Sequence, residues 1–231
     1  MMIRKSDPIK GLYAITPDEA DTAALLRKVR LVLSGGARIL QYRNKTAGAA
    51  LRQEQAWALR DLTHEFSVPL LINDDVLLAQ QVGADGVHLG GDDGSLADAR
   101  SVLGKAKLIG LSCYNRLELA RQAVRQGADY VAFGSFFSSA VKPDAVAASA
   151  DLLRQASREI ALPLVAIGGI TPGNGVQLLE AGADALAVIS AVFNAGDIQN
   201  AARQFANLNY PETSPIDRAT QHDLTQPTAF R

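Results

Sequence analysis

Short apolar runs recur along the chain, and each is followed by a segment with the hydrophobic spacing of an amphipathic helix. The eight runs are GLYAIT (11–16), RILQYR (38–43), PLLIN (69–73), DGVHLG (85–90), KLIGLS (107–112), DYVAFG (129–134), PLVAIGG (163–169) and DALAVIS (184–190). Strands that alternate with helices indicate βαβ units and a parallel sheet. Eight such units in about 200 residues predict an α/β fold, a single (β/α)8 TIM barrel. An open doubly wound sheet is the alternative, but no GxGxxG follows the first run.

A short phrase is repeated where three of the predicted strands begin. The three copies are QVGADGVHLG, RQGADYVAFG and EAGADALAVIS. Each joins a helix end to a strand through Gly-Ala-Asp, and the glycine is suited to cap the helix C-terminus. The recurrence supports a repeated βα unit, and locally the phrase indicates no more than a good loop.

The alternating pattern ends near residue 207. We therefore expect one barrel domain over 1–207 and a polar, Pro- and Thr-rich tail over 208–231 that is disordered. A net charge of −1 gives no reason to expect nucleic acid or an acidic membrane as a partner. One cysteine, no apolar signal segment and no run of 18 apolar residues indicate a cytoplasmic protein. A homo-oligomer is left open.

Polar side chains follow the predicted strands at the end where TIM barrels carry their active sites. After strand two, Gln41, Arg43 and Lys45 fall on one face because strand side chains alternate. Carboxylates follow strands three and four, among them Asp74 and Asp93. Cations and carboxylates at one mouth suit a diphosphate that is bridged by a divalent cation such as Mg²⁺.

The last two predicted strands indicate a second anion site. Gly168 and Gly169 permit a close approach to the backbone, and ISAVFNAGD can open a short helix after strand eight. Barrels of this type often bind phosphate there. Two sites for phosphorylated groups at one mouth suggest an enzyme with two substrates.

Several of these residues also have a structural interpretation. Asp75 is favoured as a helix N-cap rather than a ligand, and His88, in mid-strand, as a packed core histidine rather than a base. Cys113 has no nucleophile signature around it and is interpreted as structural. Arg43 and Lys45 could form ordinary surface ion pairs.

Seven motifs in a fixed order resemble the thiamine-phosphate synthase family, over about residues 11–205. They are GLYAITPD, QYRNK, LLINDDVLLAQQVGADGVHLGGDD, IGLS, ADYVAFGSFFSSAVKP, VAIGGI and ALAVISAVF. The resemblance implies a transferase that joins hydroxymethylpyrimidine diphosphate to thiazole phosphate. The products would be thiamine phosphate and diphosphate, with CO₂ when the thiazole is carboxylated.

The resemblance also implies roles for individual residues. Asp74 and Asp93 would hold Mg²⁺, and Arg43, Lys45 and Lys142 would stabilise the leaving diphosphate. The pyrimidine diphosphate would be bound by Gln41, Tyr42, Arg43, Asn44, Lys45, Asn73, Ser112 and Lys142. The thiazole phosphate would be bound by Ser139, Gly169, Ile189 and Ser190. The implied mechanism is dissociative: a pyrimidine-methyl cation forms first and the thiazole nitrogen then attacks it.

The chain departs from the family pattern at three places. Gly91 stands where the family usually has Gln, the loop Ser139-Ala140-Val141-Lys142 replaces a Thr-x-Thr-Lys type, and GSFFS replaces a Pro-rich approach. Two alternatives are a thiazole tautomerase of the same superfamily, which the intact Gln41, Arg43, Lys45 and Asp74 disfavour, and a non-catalytic sensor of phosphate ligands, which the changes at Gly91 and Val141 leave open.

Overall fold

Eight parallel strands close into a barrel in the order β1 to β8. The computed structural model describes residues 9–90, 95–137 and 148–210. The strands are β1 (Gly11–Ile15), β2 (Ile39–Tyr42), β3 (Leu70–Asn73), β4 (Gly86–Leu89), β5 (Leu108–Tyr114), β6 (Tyr130–Gly134), β7 (Leu164–Ile167) and β8 (Ala185–Val188). Every predicted apolar run forms one of these strands, which confirms the (β/α)8 barrel.

Helices follow each strand and surround the barrel. They are α1 (Thr22–Ser34), α2 (Ala49–Glu65), α3 (Val76–Val82), α4 (Leu96–Leu103), α5 (Leu117–Gln126), α6 (Ala150–Glu159), α7 (Pro172–Glu180), α8 (Ser190–Phe193) and α9 (Ile198–Ala206). The predicted N-cap is confirmed at α3, where the Asp75 side chain accepts a hydrogen bond from the Leu78 backbone N–H at 2.9 Å. None of the described helices is long and apolar enough to cross a membrane.

Alternating strand residues build two separate cores. Outward residues such as Leu40 and Tyr42 pack against the helices. Inward residues such as Tyr13, Ile39 and Tyr130 fill the barrel. This alternation decides which member of each strand-end motif faces the barrel axis.

The repeated Gly-Ala-Asp phrase closes the end of the barrel opposite the cavity. Side-chain Oδ2 atoms of Asp85, Asp129 and Asp184 accept hydrogen bonds from backbone N–H groups near the start of the preceding strand, at 2.9, 2.8 and 2.9 Å. Each aspartate N–H donates in return to the carbonyl of that same strand residue. The phrase is therefore more than a good loop, because it joins the ends of neighbouring strands.

The glycines of this phrase behave in two ways. Gly83 and Gly127 cap α3 and α5 in the left-handed conformation, with φ of 68° and 83°, as predicted. In the third copy the cap of α7 is Ala181 in a right-handed conformation, and Gly182 follows it with φ 108°. The capping prediction thus holds for two copies, and the third helix ends one residue earlier.

The last described residues pack onto the barrel. Leu208 and Tyr210 contact the hydrophobic core, and the Tyr210 hydroxyl donates to the Phe205 carbonyl at 3.1 Å. Residues 211–231 lie outside the described residues. The domain boundary at 207 and the disordered tail therefore stay predictions.

Candidate active site

A cavity of about 550 Å³ opens at the C-terminal ends of the strands, and all eight strand ends contribute to its walls. It brings together residues that are far apart in the chain and that sequence analysis had assigned to two anion sites. The predicted residues that line it are Gln41, Arg43, Asn73, Ser112, Gly169, Ile189 and Ser190. Asp93, Ser139 and Lys142 lie outside the described residues, so their predicted roles stay predictions.

The cations after β2 have acidic neighbours on the flanking strand ends. Arg43 Nη1 lies 3.5 Å from Asp18 Oδ1, and the Lys45 backbone N–H donates to the same oxygen at 2.9 Å. The Lys45 ammonium pairs with Asp74 Oδ2. Sequence analysis missed Asp18, although it follows β1 and could have been found by the same rule of polar strand ends.

Tyr42 and Asn44 point away from the cavity, because they alternate with Gln41 and Arg43 along the strand. The Tyr42 hydroxyl donates to Gln55 Oε1 at 2.8 Å, and burial raises the pKa of this tyrosine to about 12. Asn44 Nδ2 donates to the same Gln55 oxygen at 3.0 Å. The structure therefore uses these two predicted binding residues to pack β2 against α2.

Asp74 occupies an unusual backbone position at the end of β3. Its φ of 63° is left-handed, a conformation that costs energy for a residue with a Cβ, although aspartate tolerates it better than most. Its Oδ2 accepts from the Lys45 ammonium and from Asn73 Nδ2. The carboxylate is thus turned towards the end of β2, whereas its neighbour Asp75 turns away to cap α3.

A hard cation would find oxygen ligands at this place. Asp74 supplies a carboxylate, and its Oδ1 makes no hydrogen bond to another described residue. Among residues 9–90, 95–137 and 148–210, no three His, Cys, Asp or Glu side chains are grouped closely enough to hold a metal alone. Asp74 fits a site that is completed by other oxygens, of a substrate or of residues beyond the described ranges.

A buried hydrogen-bonded network crosses the barrel beneath the cavity. It joins Gln41, Tyr13, Tyr130, His88 and Ser112, and the two tyrosines have almost no exposed surface. Burial raises the pKa of both tyrosines, so their hydroxyls stay protonated. His88 is buried as the core interpretation expects, but it also lines the cavity. Sequence analysis missed both tyrosines, whose only signal is a phenol at an inward strand position.

The far wall of the cavity is made of backbone and small side chains. Gly168 and Gly169 have φ of 107° and 62°, and a Cβ on Gly168 would overlap Ser135. Glycine is required there because the chain is both left-handed and crowded. Ile189 and Ser190 lie beside them at the start of α8.

The end of β5 shows one more unpredicted feature. Tyr114 is 46% exposed, lines the cavity and has a left-handed φ of 52°. A bulge between Ser112 and Tyr114 shifts the register with β6. Cys113, between them, is buried on the outer face, and burial raises the pKa of its thiol to about 12, which agrees with a structural role.

Comparison with known proteins gives a consistent result across most of the chain. A family model described as thiamine monophosphate synthase matches residues 12–192. A thiamine-phosphate synthase of Methylobacillus flagellatus is 57% identical over 201 residues, covering 87% of this chain and 96% of that protein. One from Nitrosospira multiformis is 55% identical over 200 residues, covering 87% and 86%.

Solved structures show the same fold. A thiamine phosphate pyrophosphorylase from Pyrococcus furiosus superposes with a TM-score of 0.76 at 36% identity, covering 84% of this chain and 93% of that one. An orotidine 5'-phosphate decarboxylase from Pyrococcus horikoshii superposes with a TM-score of 0.64 at 15% identity, covering 85% and 98%. The second likeness is one of fold alone.

Proposed function

Because the chain belongs to the thiamine monophosphate synthase family, we propose that it joins hydroxymethylpyrimidine diphosphate to thiazole phosphate. The products are thiamine phosphate and diphosphate, so the protein is a transferase of thiamine biosynthesis that acts on phosphorylated small molecules. The observation that carries this proposal is the cavity itself. One chamber of about 550 Å³ has a cationic wall at β2 and a glycine-rich backbone wall at β7 and β8.

The cationic wall suits the diphosphate. Arg43 is only partly exposed, and its 3.5 Å contact with Asp18 is long for a charge-assisted hydrogen bond. Its guanidinium can therefore reorient towards a stronger acceptor such as a phosphate oxygen. Lys45 and Asn73 stand on either side of Asp74, and Lys142 is proposed to complete the binding of the leaving group.

We assign Asp74 and Asp93 to Mg²⁺. Hard carboxylate oxygens are the ligands that Mg²⁺ prefers, and it usually binds one or two carboxylates together with substrate phosphates. When bound, the ion would help to neutralise the negative charge of the diphosphate. Asn73 and Lys45 both donate to Asp74 Oδ2 and so orient the carboxylate.

The chemical step needs binding and orientation more than it needs a protein nucleophile. The C–O bond to diphosphate breaks with its electron pair on the diphosphate oxygen, and the ring nitrogen of the thiazole then forms the C–N bond. Arg43 and Lys45 stabilise the growing negative charge, and Gln41 and Ser112 orient the pyrimidine diphosphate. Cys113 is buried in the outer core and does not line the cavity, so its thiol is not placed to attack a substrate there.

The second substrate is assigned to the opposite wall. Gly169, Ile189 and Ser190 line the cavity there, and left-handed glycines leave the backbone accessible to a phosphate. Ser139 is proposed to add a hydroxyl from the loop after β6. The two phosphorylated groups then lie on opposite sides of the reacting atoms.

The cellular setting follows from the substrates. Both are small phosphorylated metabolites, and the single cysteine needs no oxidising compartment. We therefore propose a cytoplasmic enzyme that has neither nucleic acid nor membrane as a partner.

One assay tests the proposed function. The protein is incubated with both substrates, with and without Mg²⁺, and thiamine phosphate and diphosphate are measured. We expect both products in equal amounts and only with the metal. Rearrangement of the thiazole phosphate without the pyrimidine substrate would indicate a tautomerase, and binding without turnover would indicate a sensor.

A further inference from the structure

Five side chains form an unbroken hydrogen-bonded relay across the inside of the barrel. Gln41 Nε2 donates to the Tyr13 hydroxyl at 2.7 Å, and the Tyr13 and Tyr130 hydroxyls are 2.8 Å apart. Tyr130 Oη lies 2.8 Å from His88 Nδ1, and His88 Nε2 lies 2.9 Å from Ser112 Oγ. The relay thus begins at β2 and ends at β5, and both of its ends line the cavity.

The number of protons favours one direction for the bonds of this relay. With Gln41 donating to Tyr13, the Tyr13 proton finds an acceptor within the described part of the chain when it is donated to Tyr130, and we assign the bond this direction. Tyr130 then donates to His88 Nδ1, and the neutral imidazole carries its proton on Nε2 and donates to Ser112 Oγ. The opposite direction would either leave the Tyr13 proton directed into the cavity or require the Gln41 amide to be turned over.

We propose that Tyr13, Tyr130 and His88 are positioning residues that set the hydrogen-bonding polarity of the pyrimidine diphosphate subsite. In this direction Gln41 keeps its Oε1 as an acceptor, and Ser112 keeps its hydroxyl proton as a donor. The proposal rests on the proposed function for its substrate. The Gln41 Oε1 acceptor suits the amino group of the pyrimidine, and the Ser112 hydroxyl donor suits an oxygen of the diphosphate.

The packing around Tyr130 supports a specific role rather than simple filling of the barrel. A Cβ on Gly110 would overlap the Tyr130 ring, so the neighbouring strand has no side chain at the place where this ring lies. The Tyr130 ring also stacks on His88 with 5.6 Å between centroids and an interplanar angle of 23°. Leucine or phenylalanine would fill this space without polar groups that cost free energy to bury.

The tautomer of His88 tests the proposed direction of the hydrogen bonds in a protein that keeps all five relay residues. The chain has three histidines, so the double variant His64→Gln, His222→Gln leaves His88 as the single ¹⁵N-labelled imidazole. At about pH 8, above the ordinary imidazole pKa of about 6.5, NMR of the substrate-free protein should show the proton on Nε2. A proton on Nδ1 would overturn the proposal, since the bonds would then run from Ser112 through His88 and Tyr130 to Tyr13.

Tyr130→Phe tests whether the relay positions the substrate. The ring is kept and the relay is cut at its centre, so His88 should lose its single tautomer. The KM for the pyrimidine diphosphate should rise up to about tenfold, as expected for loss of a properly oriented hydrogen bond. The KM for the thiazole phosphate should stay within about twofold, because the residues proposed for it lie outside the relay.

Tyr210→Phe is the matched control. It removes a partly buried tyrosine hydroxyl that donates to the Phe205 carbonyl of α9 and does not line the cavity. Both KM values should be unchanged. If a folded Tyr130→Phe protein also kept both KM values, with only a lower kcat, the relay would be structural and the proposal would be wrong.

The same experiments separate the relay from the proposed function. Nε2 protonation in a protein that forms no thiamine phosphate would contradict the function and support the relay. Formation of thiamine phosphate by a protein whose His88 is protonated on Nδ1 would support the proposed function and contradict the relay. Tyr13→Phe, which cuts the relay one bond nearer Gln41, gives the same KM test if Tyr130→Phe does not fold.

Discussion

The two ends of the barrel use aspartate in opposite ways. At the floor, defined by Asp85, Asp129 and Asp184, each carboxylate accepts from a backbone N–H of the neighbouring strand. At the mouth, where the cavity opens, Asp74 has a left-handed backbone and shares one oxygen between an ammonium and an amide. The floor aspartates thus satisfy backbone groups of the fold, whereas Asp74 at the mouth is bonded to side chains and can bind a ligand.

This difference shows that stability and function are separated along the same strands. Each floor aspartate accepts from a backbone N–H that cannot be exchanged, and Asp129 also pairs with Arg100 Nη2 at 2.6 Å. Asp74 and Arg43 at the mouth have side-chain partners that can move when a charged ligand arrives. Substitutions at the two ends should therefore change different measurements.

Arg43→Ala should give the largest effect and should act on activity alone. Loss of one preorganised charge contact to the leaving diphosphate costs about 3 kcal/mol, or roughly 100-fold in kcat/KM. Steady-state kinetics and thermal unfolding are the two measurements, and Tm should be unchanged. Arg43→Lys, which keeps the charge, should recover part of the loss. A rise in KM with unchanged kcat would instead assign Arg43 to uniform binding.

Asp184→Ala should act on stability alone. The residue is 2% exposed, and its removal leaves the buried Leu164 N–H without the acceptor that it has at 2.9 Å. We expect the free energy of unfolding to fall by about 2 kcal/mol, measured by urea denaturation. Asp184→Asn keeps an oxygen acceptor and should lose less. A reduced kcat per folded molecule would contradict the separation of floor and mouth.

Substitution of the adjacent residues Asp74 and Asp75 compares an aspartate proposed to bind a ligand with one that supports the fold. Asp74→Ala should raise the Mg²⁺ concentration for half-maximal activity by at least about tenfold with little change in Tm. Asp75→Ala should keep the Mg²⁺ response and lose about 1 kcal/mol of stability, because it removes the N-cap of α3. If both variants responded alike to Mg²⁺, Asp74 would not be a metal ligand.

Ser190→Ala should give the smallest effect and should distinguish the two walls of the mouth. Loss of one hydrogen bond to the thiazole phosphate should raise the KM for that substrate about fivefold. The KM for the pyrimidine diphosphate should not change. Equal changes in both values would mean that the two walls do not bind separate substrates.

Much of the site was predicted because it depends on strand ends. The positions of Gln41, Arg43, Asn73 and Ser112 in the cavity follow from where each strand stops and from alternation of side chains. The same alternation explains why Tyr42 does not reach the cavity. Tyr42 belongs to the same QYRNK motif as Gln41 and Arg43, but its position in the strand is outward.

The pairings that were missed join residues across the barrel, although the position of Asp18 after β1 is itself a local signal. The Tyr13 and Tyr130 hydroxyls are joined over 117 positions in sequence. Asp18 approaches Arg43 over 25 positions, from one strand end to the next. No local pattern predicts such pairs, since they are created only when the strands take their places around the barrel axis.

The sequence by itself determined the eight strands, the end of the barrel where polar residues collect, and the N-cap at Asp75. These depend on hydrophobic periodicity and capping chemistry, which are properties of neighbouring residues. Only the tertiary structure decided that Asp74 turns towards Lys45, and that a buried relay joins Gln41 to Ser112. The physical reason is closure of the barrel, which brings distant inward side chains within hydrogen-bonding distance and excludes the water that would otherwise bind them.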